Sequence, residues 1–303
     1  MVRKNFSTLA AILLFSIAGL LLPPFVAGQQ PGSPFGPSGP GSLGGNLSDA
    51  LRHMDRALEP SVSDMTLEDE YYLGRAVAAG ILRVYRPYTA DPALTAYLNN
   101  IVQAIVINSP RPVLFSGYHV EILDTNEIAA FATPGGHIFI SRGLIALAPS
   151  EDALAAVLAH EIAHIQLRHV LSIIENERLV QDLTAVGDRA AAIAAHSPLQ
   201  KRAVLLRASL SLSLNTLFRD GYSREQEFQA DQMAELLLVR AGYDPVALRE
   251  LLVLIGQRPQ TGNMSSTHPS PAMRIANLGN ITGGTGQSTL STRRARFNSA
   301  LRR

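Results

Sequence analysis

The sequence predicts an α+β fold, mostly helical, with a small sheet set between two helical regions. Three observations predict it. Apolar residues at helical spacing, with capping residues at the ends, run from Leu67 to Ile107. Three short strand-like segments then follow between Tyr118 and Ser141, two of them joined by Pro134-Gly135-Gly136. From Ser150 onward the chain is almost entirely helical in character.

Each element has a local reason. Leu67, Tyr71, Val77 and Ile81 share a helix face, with acidic residues in the first turn, Arg83 and Arg86 near the end, and Pro87 as a stop. Asp91 caps a second helix that has Pro92 at its first position and extends to about Ile107. Tyr118–Asp124, Ile128–Thr133 and His137–Ser141 have strand character. Ser150 caps a long helix in which Glu151 and Asp152 complement the dipole and the pattern continues to about Arg178.

The chain has 303 residues, 47% of them apolar and 17% charged, which suits a folded protein with a sizeable core. A net charge of +1 excludes a nucleic-acid binder that works by a basic field. The absence of cysteine excludes disulfide scaffolds, thiolate metal sites, cysteine nucleophiles and a lipid-bearing cysteine. No internal repeat is present.

The termini read differently from the middle. Arg3 and Lys4, an apolar run from Leu9 to Leu22, and the small residues Val26-Ala27-Gly28 form a signal-peptide pattern over residues 1–28. The run falls short of the roughly 20 residues that span a bilayer. An uncleaved N-terminal anchor and a peripheral membrane contact remain open at this point. Residues 29–45 are a Pro/Gly/Ser-rich linker. The folded domain is expected over 46–285, followed by a basic C-terminal tail at 286–303.

The chemistry is concentrated in two helical segments. His160-Glu161-Ile162-Ala163-His164 is an HExxH. Residues four apart on a helix lie about 40° apart, so both imidazoles project from one face and suit one tetrahedral zinc. Glu161, about 100° further round, is placed to act on a zinc-bound water. Position 167 is Leu and position 170 is Val, which excludes a metzincin continuation. His169, placed about 140° round the same helix from His164, reads as a surface or helix-end histidine. Downstream, Ser223 opens a helix on which Glu227 and Asp231 share a face. Glu227 is the candidate third ligand, and Asp231 can accept a hydrogen bond from the far nitrogen of a ligand histidine. Glu225 points elsewhere and reads as a first-turn dipole residue. His137 reads as structural, and His53, His119 and His196 receive no role.

With HEIAH at His160–His164 and SREQEFQAD at Ser223–Asp231, the sequence resembles the gluzincin metallopeptidases related to the CAAX prenyl proteases and the bacterial heat-shock membrane peptidases, family forty-eight of the metallopeptidases. Thr133-Pro134-Gly135-Gly136 with Ser141-Arg142-Gly143-Leu144 resembles the family segment before the zinc helix. Thr267-His268-Pro269 with Arg274 resembles a late family motif. Together these cover about Leu67 to Asn280.

The resemblance implies a zincin-like peptidase domain whose sheet packs beside the HExxH helix. It implies one Zn2+ per chain on His160, His164 and Glu227, with Glu161 as the catalytic base. His268 and Arg274 are active-site candidates by resemblance only, for the oxyanion or for gating the metal; the plainer reading of His268 is a loop histidine before Pro269. Ala203–Phe218 contains Arg207 and five Ser, Thr or Asn residues, a poor spanning segment. A soluble, exported, single-domain branch is therefore expected, located in the periplasm or cell envelope.

The expected function is a zinc endopeptidase acting on exported or misfolded envelope proteins. Its substrate would be an unfolded or misassembled chain lying as an added strand along His137–Ser141, and a segment between His196 and Tyr222 could gate the site. The competing readings are an exported zinc-containing chaperone or binding protein with little hydrolysis, an anchored structural protein with an accidental HExxH, and a zinc hydrolase of a non-peptide bond.

Overall fold

Helix capping accounts for most of the element boundaries in the computed structural model, which describes residues 65–175, 221–258, 268–279 and 287–301. These all belong to one unit, Gly44–Arg303. Helix α1 (Leu67–Val84) begins at Thr66, whose side chain accepts from Asp69 N while the Asp69 carboxylate accepts from Thr66 N. Helix α2 (Pro92–Val106) begins at Asp91, which accepts from Leu94 N at 2.9 Å. Both starts agree with the sequence. The signal-peptide and linker segments at 1–45, and 176–220 with most of the suggested gate, lie outside the described residues.

The sheet has three strands, β1 (His119–Leu123), β2 (Ala130–Ala132) and β3 (His137–Ser141). Their order is β1-β3-β2, with β1 parallel and β2 antiparallel to β3. The turn between β2 and β3 has Gly135 at φ 73° and Gly136 at φ 101° and rests directly on α1. A Cβ on Gly135 would lie 2.4 Å from Tyr71 Cα, and one on Gly74 would lie 1.7 Å from Pro134 O. The glycines let turn and helix meet at backbone distance.

This order corrects the expected substrate path. β3 is the central strand, paired on both sides, so no further strand can add along His137–Ser141. The outer edge of β1 is also closed. Tyr88 N donates to Ile122 O and Asp124 N to Arg86 O, while the Asn99 amide accepts from Val120 N and donates to Val120 O. On β2, Ser141 N donates to Ala129 O and Thr133 N to His137 O. The alternation of an antiparallel ladder therefore turns the N–H and C=O groups of Ala130 and Ala132 outward. Of the three strands, β2 packs most closely on the central helix.

That helix, α4 (Glu151–Gln166), is buried at every residue, and Ser150 caps it by accepting from Ala153 N. It stops twelve residues earlier than the apolar pattern suggests. Leu167 is its cap, Arg168 takes φ 58°, and the chain turns helical again over 169–175. Between β3 and α4 lies the short α3 (Arg142–Leu147), capped by Ser141. Helix α5 (Arg224–Ala241) starts with a Ser223–Gln226 capping box, ends at Gly242 with φ 79°, and packs along α4. Helices α6 (Val246–Gly256) and α7 (Pro271–Asn277) pack on each other and against this pair.

Helix α8 (Gln287–Leu301) stands where a basic tail was expected. Two of its arginines, Arg293 and Arg296, are counter-ions for the first turn of α4. Arg293 Nε donates to Asp152 Oδ2 at 3.1 Å, and Arg293 also donates to Gly242 O. Arg296 forms an ion pair with Glu151, whose carboxylate also accepts from Tyr97 and Tyr243. Two buried acids need cations close by, and the basic run supplies them. No helix of the described residues is long and apolar enough to cross a membrane.

Two outcomes follow from this packing. Arg293→Ala leaves Asp152 buried without its cation and is expected to cost about 3 kcal/mol in urea unfolding. His137, its Nε2 buried and unpartnered, is held at a pKa of about 4, by burial first and then by His119 and Arg75. It folds neutral, so its contribution is complete above its unfolded pKa of about 6.5 and is lost as pH falls through about 4. His137→Phe is expected to flatten the decline in melting temperature between pH 6.5 and 4.

Candidate metal centre

Helix α4 presents His160 and His164 one turn apart with their rings edge-on, centroids 4.6 Å apart and planes at 80°. Their Nε2 atoms lie 3.0 Å from each other. Glu227, from the facing helix α5, reaches both: Oε2 is 3.7 Å from His160 Nε2, and Oε1 is 3.5 Å from His164 Nε2. All three side chains are buried. Three ligands at about 2.0–2.1 Å from a tetrahedral zinc are about 3.3–3.4 Å apart, so these separations fit one ion. Glu227 Oε2 is a buried oxygen without a hydrogen-bond partner, as a metal-ligating atom would be.

His268 joins this group from the loop before α7. Its Nδ1 lies 2.7 Å from Glu227 Oε1, and ligand atoms of His160, Glu227 and His268 all fall within 4.8 Å of one another. His160 and Glu227 are thus shared between two possible triads, one completed by His164 and the other by His268.

Behind these side chains lies a charge network. His160 Nδ1 is 3.0 Å from Asp231 Oδ1; in the tautomer with its hydrogen at Nδ1, that N–H faces the carboxylate and the Nε2 lone pair is left for a cation. Arg274 grips Asp231 with two hydrogen bonds, Nε to Oδ2 at 2.9 Å and a second to Oδ1 at 2.5 Å. It also approaches Glu227 Oε2 at 3.7 Å. Arg274 thus bears on His160 both through Asp231 and directly, its Nη2 lying 3.2 Å from His160 Nδ1.

Burial by itself raises both acids, yet their neighbours reverse it. His268, His164 and Arg274 hold Glu227 well below the carboxylate range, and Arg274 with His160 holds Asp231 down. Both are ionised. Burial holds His164 neutral, at about 3, and also lowers His160. Glu161 is pushed up to about 8, by burial first and by the Glu227 charge second, with Arg274 opposing.

Two neighbours of His164 were not legible as site residues. Tyr222 stacks on its ring at 3.8 Å and 16°, with its hydroxyl buried and unpartnered. Burial, then the charges of Glu161 and Glu227, raise that phenol well above its usual range. His169 is also buried, 2.9 Å from His164 Nδ1. Its expected surface position assumed an unbroken helix, whereas the turn at Arg168 brings it back. Glu225 accepts from Gln229 on the outer face of α5.

Residues 92–282 match the family model described as Peptidase family M48. The chain is 29% identical to the Beta-barrel assembly-enhancing protease of Escherichia coli (strain K12) over 203 residues, 66% of this chain and 41% of that protein. It is 32% identical to the Mitochondrial metalloendopeptidase OMA1 of Schizosaccharomyces pombe over 229 residues, 71% of this chain and 62% of that protein. The protein of that name from Arabidopsis thaliana is 26% identical over 246 residues, 77% of this chain and 42% of its own length. The chain therefore spans less than two thirds of each relative.

Glu227→Ala removes one donor of the three and is expected to weaken metal binding at least about tenfold. Elemental analysis after dialysis against a weak chelator checks this, with metal lost from the variant and kept by the parent.

Proposed function

Since this chain belongs to Peptidase family M48, a family of metal-dependent peptidases, we propose that it is an endopeptidase holding one zinc ion on His160, His164 and Glu227. The convergence of two neutral imidazoles and an ionised carboxylate beside a buried, unused glutamate carries this reading. Bound zinc supplies a water of lowered pKa and polarises a peptide carbonyl. Asp231 keeps the proton of His160 at Nδ1, and Arg274 keeps Asp231 in place. Glu161, buried on the same helix as the two imidazoles, would be held as a carboxylate by the bound cation, and would take the proton of the attacking water and deliver it to the departing amine nitrogen. The apolar residues around α4 keep bulk water away from this exchange.

Among the described residues, the strand edge that turns backbone groups outward is Ala130 to Ala132 on β2; it is buried, so an extended substrate joining it would have to displace its cover. Pairing of that kind reads backbone more than side chains, which favours unfolded or misassembled proteins as substrates. The signal-peptide pattern at 1–28 supports export to the cell envelope. The names of the bacterial relatives point to β-barrel assembly as the setting.

Glu161→Gln is expected to keep its zinc and its melting temperature while hydrolysis of unfolded casein falls at least about a hundredfold. Wild-type turnover by that variant would end the peptidase assignment. A zinc-loaded wild type that binds unfolded chains but cleaves none would indicate a binding protein instead.

A further inference from the structure

The second histidine of the HExxH has a partner that no motif names. Helix α4 ends at Gln166, and Arg168 adopts φ 58°, a conformation costly for a side-chain-bearing residue. Glu70 of α1, itself buried, holds Arg168 there at 3.0 Å. The turn sends His169 back over the last turn of α4 instead of onward along its axis. Its ring meets that of His164 edge-on, centroids 5.0 Å apart and planes at 71°, with 2.9 Å between the two Nδ1 atoms. On its far side, His169 Nε2 lies 3.3 Å from Gln229 Oε1, and Gln229 Nε2 donates to Glu225 Oε1 at 3.2 Å.

Counting protons along this chain leaves one arrangement. Gln229 uses an N–H on Glu225, so its oxygen faces His169 and must accept. His169 Nε2 therefore carries the hydrogen, and the Nδ1 of the neutral ring is a bare acceptor. Against that acceptor, His164 Nδ1 must be the donor, which leaves the His164 Nε2 lone pair facing His160 Nε2 and Glu227. We propose that His169 is a positioning residue that sets the tautomer and ring orientation of His164, as Asp231 does for His160. This rests on the reading of the site as a metal centre. An imidazole also suits the place electrostatically: a carboxylate there would add a third buried anion beside Glu227 and Asp231.

The test uses the full chain with zinc, and compares three substitutions. His169→Asn puts an amide oxygen close to the former Nδ1 position, His169→Gln puts it near the former Nε2 position, and His169→Leu removes the acceptor. Zinc affinity is measured by competition with a chromophoric chelator, and the visible spectrum is recorded after cobalt replacement. Leu and Gln are expected to weaken zinc binding about 10–100-fold and to shift the cobalt bands. Asn is expected to stay within a few-fold of wild type with an unshifted spectrum. Equal behaviour of the Asn and Gln variants, or wild-type affinity and spectrum in the Leu variant, would overturn the proposal. Glu227→Ala runs alongside. If it too binds zinc as wild type does, the metal-centre reading fails; if it alone loses zinc, only the role of His169 fails.

Discussion

Glu227 and Asp231 lie one helical turn apart on α5 with no exposure to water at all, and their charge dictates the chemistry around them. An isolated buried carboxylate would protonate. These two stay ionised because cations and donors are drawn against them: Arg274 on Asp231, His160 on the same acid, and His268 on Glu227. One oxygen of Glu227 is left without a hydrogen-bond partner, and two imidazole nitrogens lie close to it. The local excess of negative charge and bare lone pairs is a site that asks for a divalent cation.

The imidazoles are as constrained as the acids. His160 is set from behind by Asp231, and His164 by the edge of His169 and the face of Tyr222. The two supports differ in charge, one anionic and one neutral, which limits the number of buried anions while both rings are held. Rigid presentation of the two imidazoles comes from α4 being buried all round and anchored at both ends. Its first turn is tied by Arg293 and Arg296 of α8, and its last turn is followed by the Arg168–Glu70 ion pair to α1.

With β3 in the centre and the outer edge of β1 closed by Asn99 and residues 86–88, β2 is the strand, among the described residues, that turns hydrogen-bonding groups outward, and it packs on α4. The glycines at 74 and 135 allow α1 to press on the β2–β3 turn at backbone distance, which fixes that turn relative to α1.

Local rules made much of this legible in the chain itself. Capping by Asp91, Ser150 and Ser223 places helix starts, because a cap is a contact between residues three apart. The four-residue spacings of His160 with His164 and of Glu227 with Asp231 place each pair on one helix face. Tertiary contact alone decided the rest. The end of α4 depends on a left-handed Arg168 held by an acid from α1, and without that break His169 falls on the wrong face. The central position of β3 depends on which strand reaches it from each side, which no alternation pattern encodes. Residues 287–301 read as a basic tail because their charges are all one sign; they form a docked helix because the opposite charges, Glu151 and Asp152, are buried far upstream.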